Sequence, residues 1–208
     1  METVKLYLYP VWIRIWHVIN AIMFLLLIFT GIALHFSGET DISLISFRTS
    51  VGIHNVAAII VTFNYGIFVI GNMLTKNGKF YRKWRKNLMV NLWKQFVFYA
   101  VGIFNKEAHP FPITEKQKFN PLQKFAYVIA MYFAMPLLIL SGLGLMFPEI
   151  IAYKVFNVSG LIFYDVLHLI VGFVLSLFLL IHLYTCTLGD KPGTLFKSMI
   201  NGYHEEHE

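Results

Sequence analysis

Four long apolar stretches, residues 11–36, 51–75, 122–147 and 161–187, are set apart by polar segments. Each is almost free of charge and exceeds the ~20 residues that a helix needs to cross a bilayer. Backbone groups in lipid must be satisfied internally, so runs of this length and continuity predict helices rather than barrel strands. A fifth apolar run, Leu88–Phe104, is shorter and is broken by Asn91, Lys94 and Gln95. It predicts an interfacial amphipathic helix lying under the bundle. The expected fold class is an all-α membrane protein: a four-transmembrane-helix bundle with that amphipathic helix in the inner connection. No repeat of solenoid period and no Gly/Ser-rich linker divides the chain, so residues 1–208 read as one domain.

Composition agrees with the pattern. Hydrophobic residues make up 57% of the chain and charged residues 13%, more apolar than a soluble domain of this size. The lone cysteine, Cys186, excludes an internal disulfide and any iron–sulfur or zinc–thiolate cluster built by this chain alone. No Cys-x-x-Cys-His occurs, so covalently attached haem is not expected. The first stretch has no convincing small-residue cleavage site after it and reads as a retained span.

Charge sets the expected orientation. Ten Lys and Arg lie between Lys76 and Pro121, and Lys5, Arg14, Lys124, Lys191 and Lys197 fall on the same side, against Arg48 and Lys154 on the other. The positive-inside rule therefore places both termini and the long middle connection in the cytoplasm. The net charge of +6 is then a topology signal and a contact for anionic membrane lipid, not a nucleic-acid surface.

The histidines carry the chemistry. His168 and His182 stand fourteen residues apart in the fourth stretch. On an α-helix that is a rise of roughly 21 Å and about 40° short of four turns, so they share a face at opposite membrane levels. In this topology His17 near the start of the first span lies at the inner level with His182. His54 at the start of the second lies at the outer level with His168. Two pairs at two depths are what two bis-histidine b-type haems require: His17 and His182 for the inner haem, His54 and His168 for the outer. Gly31 lies fourteen residues beyond His17, at the outer level of helix one, and Gly66 and Gly71 lie at the inner level of helix two. At those places neither helix offers a ligand, and a porphyrin could approach closely. A proton relay or a copper or zinc site would need more carboxylates, since Asp165 is the only acid near the fourth span. His35 is the substitute outer ligand should His54 fail. His109, His204 and His207 rank lower, the last two in an acidic tail expected to be solvent-exposed. Arg14, one turn before His17, suits a haem propionate or an interfacial anchor equally.

These residues are similar to a known family. The chain resembles the four-helix di-haem cytochrome b subunits of bacterial respiratory enzymes: the formate dehydrogenase gamma subunit, the nickel–iron hydrogenase b-type cytochrome and the thiosulfate reductase cytochrome b. The resemblance covers nearly the whole chain and rests on Arg14–His17, Thr30–Ile32, His54–Ala57, Lys118–Lys124, Ser141–Gly142, the His168/His182 pair and Met199–Tyr203. It implies the same haem pairing, and a quinone site beside the inner haem at Asn120, with Gln123 as its neighbour. Pro121 and a longer inner connection depart from the family pattern. Asn120 also reads as a helix N-cap.

The expected function is that of an electron-transfer subunit of the bacterial cytoplasmic membrane, carrying electrons through two haem b groups. They run between a periplasmic redox partner (an iron–sulfur, hydrogenase or molybdoenzyme, or multihaem cytochrome subunit) and membrane menaquinone or ubiquinone. The alternative is a stand-alone small di-haem cytochrome b oxidoreductase, for example from superoxide to quinone. A third reading is a membrane anchor braced by haem.

Overall fold

The computed structural model describes residues 3–37, 45–115, 117–150, 153–188 and 193–207. Most of the first outer loop, and Lys116 and Lys191 of the charge count, lie outside them.

A strand β1 (Thr3–Tyr7) leads into α1 (Val11–His35), followed by α2 (Phe47–Leu74). The connection holds a short helix α3 (Lys79–Arg82) and α4 (Leu88–Val97), which runs on into a π turn at Phe98–Gly102. The third span is α5 (Pro121–Ile129), a π turn at Ala130–Ala134, and α6 (Met135–Met146). A hairpin of β2 (Lys154–Val155) and β3 (Val158–Ser159) precedes α7 (Gly160–Cys186). The chain closes with α8 (Thr194–Asn201) and β4 (Tyr203–His207). Among the described residues four helices are long and apolar enough to cross a membrane: α1, α2, Pro121–Met146 and α7. At 1.5 Å per residue each runs roughly 38–42 Å, ample for a hydrocarbon core of ~30 Å.

Three of the four lie within about one residue of the stretches read from hydropathy. The second starts earlier than 51, at Phe47. Its cause is a cap: the backbone N–H of Thr49 donates to the Ser46 hydroxyl at 3.2 Å, satisfying one of the orphan donors of the first turn. Arg48 therefore sits inside the helix. The π turn in the third span comes just before Pro136, which has no N–H to give and would crowd the preceding turn of a regular helix.

The Leu88–Phe104 run forms α4 and its π turn and stops short of a span. Gln95, Phe98 and Gly102 form its buried stripe, while Met89, Val90, Trp93 and Phe96 are exposed. Such an outward apolar face suits a membrane interface.

Two compact units emerge. One comprises Trp12–Val69 and Ala134–His182. Its core is built on Phe68, which is fully buried and stacks on Trp16 with ring centroids 4.7 Å apart, together with Val61, Met135 and Leu175. Lipid tails are as apolar as leucine, so burial alone does not hold membrane helices together, and polar contacts count for more. Here α1 and α2 are joined by a reciprocal pair. The Trp16 indole N–H donates to the Asn64 carbonyl at 3.0 Å, and the Asn64 amide donates to the Trp16 carbonyl at 3.1 Å.

The other unit comprises Met1–Val11, Ile70–Phe133 and Leu183–Glu208. Here β1 pairs antiparallel with β4, Lys5 opposite Glu205 and Tyr7 opposite Tyr203. The acidic tail, read from sequence as solvent-exposed, has its backbone paired as a strand. Gly202 makes the corner. Its φ is +90°, and a Cβ there would lie 2.8 Å from both the Tyr7 ring and the Tyr9 carbonyl, so only glycine fits. The Lys118 ammonium donates to Asn77 Oδ1 at 3.4 Å, and the Asn77 amide donates to Asn72 at 2.7 Å.

Candidate functional site

The first unit brings the four expected histidines together as two pairs. His17 on α1 faces His182 on α7, with ring centroids 6.2 Å apart and planes at 63°. His54 on α2 faces His168 on α7, at 6.3 Å and 70°. All four rings are half-buried. Metal–imidazole bonds run about 2.0–2.1 Å and a ring nitrogen lies ~1.1 Å from its ring centre, so two imidazoles on opposite sides of one metal ion stand ~6.3 Å apart. Both pairs have that spacing, and neutral imidazole nitrogen is a normal haem-iron ligand.

The His54–His168 pair is held by a repeated device. On α1, Thr30 is fully buried, and its hydroxyl lies 2.7 Å from the Leu26 carbonyl and 2.8 Å from His54 Nδ1. On α6, the buried Ser141 hydroxyl lies 2.7 Å from the Leu137 carbonyl and 3.1 Å from His168 Nδ1. A hydroxyl has one proton, and the carbonyl takes it. With the hydroxyl proton on that carbonyl, the oxygen is placed to accept from Nδ1–H, the tautomer that leaves Nε2 of each histidine with a bare lone pair. Glycine follows each hydroxyl. A Cβ at Gly31 would lie 3.6 Å from the His54 ring, and one at Gly142 only 3.0 Å from the His168 ring. Thr30 and Ser141 were legible only as parts of short family motifs. Their role as hydroxyls aimed at histidines depends on which helices are neighbours.

Aromatic rings flank the other pair. Phe178 stacks on His182 at 6.0 Å and 11°, and Trp16 meets His17 edge-on at 6.4 Å. Arg14 lies one turn before His17, half-buried, with its Nε shielded from solvent. A Cβ at Gly66 would meet no atom within 4 Å. His35 is exposed at the end of α1 against Phe36, while His54 occupies the place opposite His168. His109 lies against the Phe98 ring in the other unit.

Asn120 and Gln123 lie in that other unit and form a full capping box for α5. Asn120 Oδ1 accepts from the Gln123 N–H at 2.8 Å, and Gln123 Oε1 accepts from the Asn120 N–H at 3.3 Å. The Asn120 amide also donates to the Tyr99 hydroxyl at 2.8 Å. The N-cap role is therefore realised. Two donors remain unspent beside it among the described residues, the Tyr99 O–H proton and the Gln123 amide N–H. Burial raises the Tyr99 phenol above its ordinary value, and the Asn120 bond partly opposes it. Tyr99 thus stays protonated as a donor at neutral pH.

The family model for prokaryotic cytochrome b561 matches residues 8–202. The chain is 38% identical over 204 residues to a protein of Escherichia coli (strain K12) named "Putative cytochrome YdhU", covering 96% of this chain and 75% of that protein. No solved structure matches. Matched along nearly its whole length and built on four membrane-length helices, the chain belongs to the prokaryotic cytochrome b561 family: it is a b-type cytochrome of the bacterial inner membrane, with haem b as its cofactor and electron transfer as its work.

Proposed function

We propose that this chain carries electrons between a periplasmic redox protein and the membrane quinone pool through two haem b groups, one held by His17 and His182 and one by His54 and His168. The observation that carries the reading is the pair of ring spacings, 6.2 and 6.3 Å, on one continuous helix that supplies a ligand to each. Haem supplies one-electron redox chemistry when bound, and the protein supplies ligands, orientation and exclusion of water. Thr30 and Ser141 keep Nε2 of His54 and His168 deprotonated and aimed. Arg14 is placed to meet a propionate, because a guanidinium suits a carboxylate. Fourteen residues of α7 separate the two levels by roughly 21 Å.

Charge places His17 and His182 on the cytoplasmic side, with both termini inside. The quinone head then belongs at the capping box of α5. There the Gln123 amide and the Tyr99 hydroxyl can each donate to a quinone carbonyl, and Asn120 orients Tyr99. The quinone is menaquinone or ubiquinone. The β2–β3 hairpin presents Tyr153 and Phe156, each 89% exposed, as a docking point for the periplasmic partner, an iron–sulfur, hydrogenase, molybdoenzyme or multihaem cytochrome subunit.

A pyridine haemochrome assay tests the reading. It should give two haem b per chain in the wild type and one in His54→Ala or His17→Ala. One haem in the wild type, or two in either variant, would overturn the pairing.

A further inference from the structure

The connection between the second and third spans carries a feature that electron transfer does not use. A cavity of about 220 Å³ is lined by five cations, Lys79, Lys83, Arg85, Lys118 and Lys124, and by no acidic side chain. Among the described residues none of the five forms an ion pair. Lys118 is only 2% exposed. Its partners are the Asn77 amide oxygen and the faces of Tyr9, Phe80 and Phe119, with the Tyr9 ring centre 4.1 Å away. Burial brings its ammonium down to about 7. A charge taken out of water costs heavily unless an opposite charge meets it, and here every neighbouring titratable wall group is a cation.

The rest of the lining names the kind of anion. Phe80, Trp84 and Leu88 make apolar walls. Leu88 is also the first residue of α4, whose outward face exposes Met89, Val90, Trp93 and Phe96. The cavity therefore adjoins a helix suited to the lipid interface. Its volume is below the roughly 300–1,000 Å³ of sites that enclose a whole organic ligand. It holds a headgroup whose remainder lies outside. Quinone is neutral and has no use for five cations, and a free phosphate has no use for the apolar walls.

We propose that this basic cavity binds the phosphate headgroup of an anionic phospholipid, with its acyl chains lying along the exposed face of α4. The site stands on its own cations and walls and does not depend on the haem or quinone assignments.

Native mass spectrometry of the purified full chain tests it, with equal amounts of phosphatidylglycerol and phosphatidylcholine added. One phosphatidylglycerol should be retained per chain, at least tenfold over phosphatidylcholine. Each cation near an anionic lipid is worth about fivefold, so Arg85→Gln/Lys118→Gln should weaken retention roughly thirtyfold. Lys83→Gln/Arg85→Gln, which spares the buried lysine, should show a loss of similar size, and circular dichroism reports whether either variant keeps its helices. Equal retention of the two lipids, or unchanged phosphatidylglycerol in the folded variants, would sink the proposal. Two further arms separate the sources. Displacement of the lipid by millimolar inorganic phosphate would give the cavity to a soluble anion. Displacement by a short-chain quinone would give it to the quinone. Either result overturns the lipid assignment, and resistance to both supports it.

Discussion

The two histidine pairs have the same spacing and different surroundings. His54 and His168 each meet a hydroxyl–glycine dipeptide on a neighbouring helix, Thr30-Gly31 on α1 and Ser141-Gly142 on α6. The hydroxyl fixes the tautomer and the glycine makes room for the ring. His17 and His182 are flanked by the rings of Trp16 and Phe178. One pair is aimed by directional hydrogen bonds, which fail abruptly when an atom is removed. Beside the other pair the rings of Trp16 and Phe178 add packing, which degrades gradually. On the two-haem proposal, one fold builds two like centres whose sensitivity to mutation differs.

The largest effect is expected at Gly142. Its Cβ would stand 3.0 Å from the His168 ring, already tighter than ordinary contact, and a larger side chain must push the ring away from His54. Gly142→Val should lose one haem of two while the His17–His182 centre stays intact, as read by haemochrome stoichiometry and low-temperature spectra. Gly172→Ala is the control on α7. Its Cβ would meet only Leu138 at 3.7 Å, so both haems should remain. Loss of both haems in Gly142→Val would show that the two pairs are not separate centres.

Removing the hydroxyls comes next. Thr30→Val keeps the shape and deletes the acceptor for His54 Nδ1, and Ser141→Ala does the same for His168. Partners behind a metal-ligating histidine are typically worth 10–100-fold in affinity, so each change should raise the haem off-rate by about that factor at this centre alone. Thr30→Ser should restore most of it. A haem-transfer assay to apomyoglobin measures the rate. An unchanged rate in Thr30→Val/Ser141→Ala would mean that the hydroxyls serve only their own helices, through the Leu26 and Leu137 carbonyls.

How much of this was legible follows from what each feature depends on. The spans follow from local composition, and the histidine pairs from helix period plus topology, so residue spacing was enough. The N-cap at Asn120 was legible too, because it stands just before Pro121 at a helix start; Gln123 as its reciprocal partner is added by the structure. Thr30 and Ser141 are different. Buried hydroxyls in membrane helices often bond back to their own turn, as these two do, and only the packing of α1 on α2 and α6 on α7 adds the histidines. The strand pair β1–β4 joins residues at opposite ends of the chain, and nothing local announces a partner two hundred residues away. The Trp16–Asn64 exchange is equally long-range. Gln95 was read only as a polar break in an apolar run. It is in fact 1% exposed, and its amide meets no hydrogen-bond partner among the described residues, a cost that pattern does not reveal.

A smaller effect is expected at Phe178. An aromatic pair is worth about 0.5–1.5 kcal/mol beyond its area, so Phe178→Leu should raise haem loss from the His17–His182 centre less than tenfold and leave the other unmoved. Stopped-flow haem transfer, resolved by the two spectra, makes the comparison. A loss as abrupt as that of Thr30→Val would mean that packing and hydrogen bonding aim these ligands with equal force.

The smallest effect belongs to Trp16. Trp16→Phe keeps a ring beside His17 and on Phe68 but removes the indole N–H that donates to the Asn64 carbonyl. The reciprocal bond from the Asn64 amide to the residue 16 carbonyl survives, because it uses the backbone. One net hydrogen bond is worth about 1 kcal/mol, and interhelical bonds in lipid average nearer ~0.6 kcal/mol. Asn64→Leu removes the amide's donation instead and leaves its own carbonyl in place to accept from the indole. The two single variants should each cost under about 1 kcal/mol in an unfolding titration, and because residues 16 and 64 share one contact the double variant should depart from their sum by the coupling between them. Haem should stay bound at both centres in all three, since neither bond touches a histidine. Loss of haem from the His17–His182 centre in Trp16→Phe would instead make the indole bond to α2 the element that aims His17, and the two centres would then share one design.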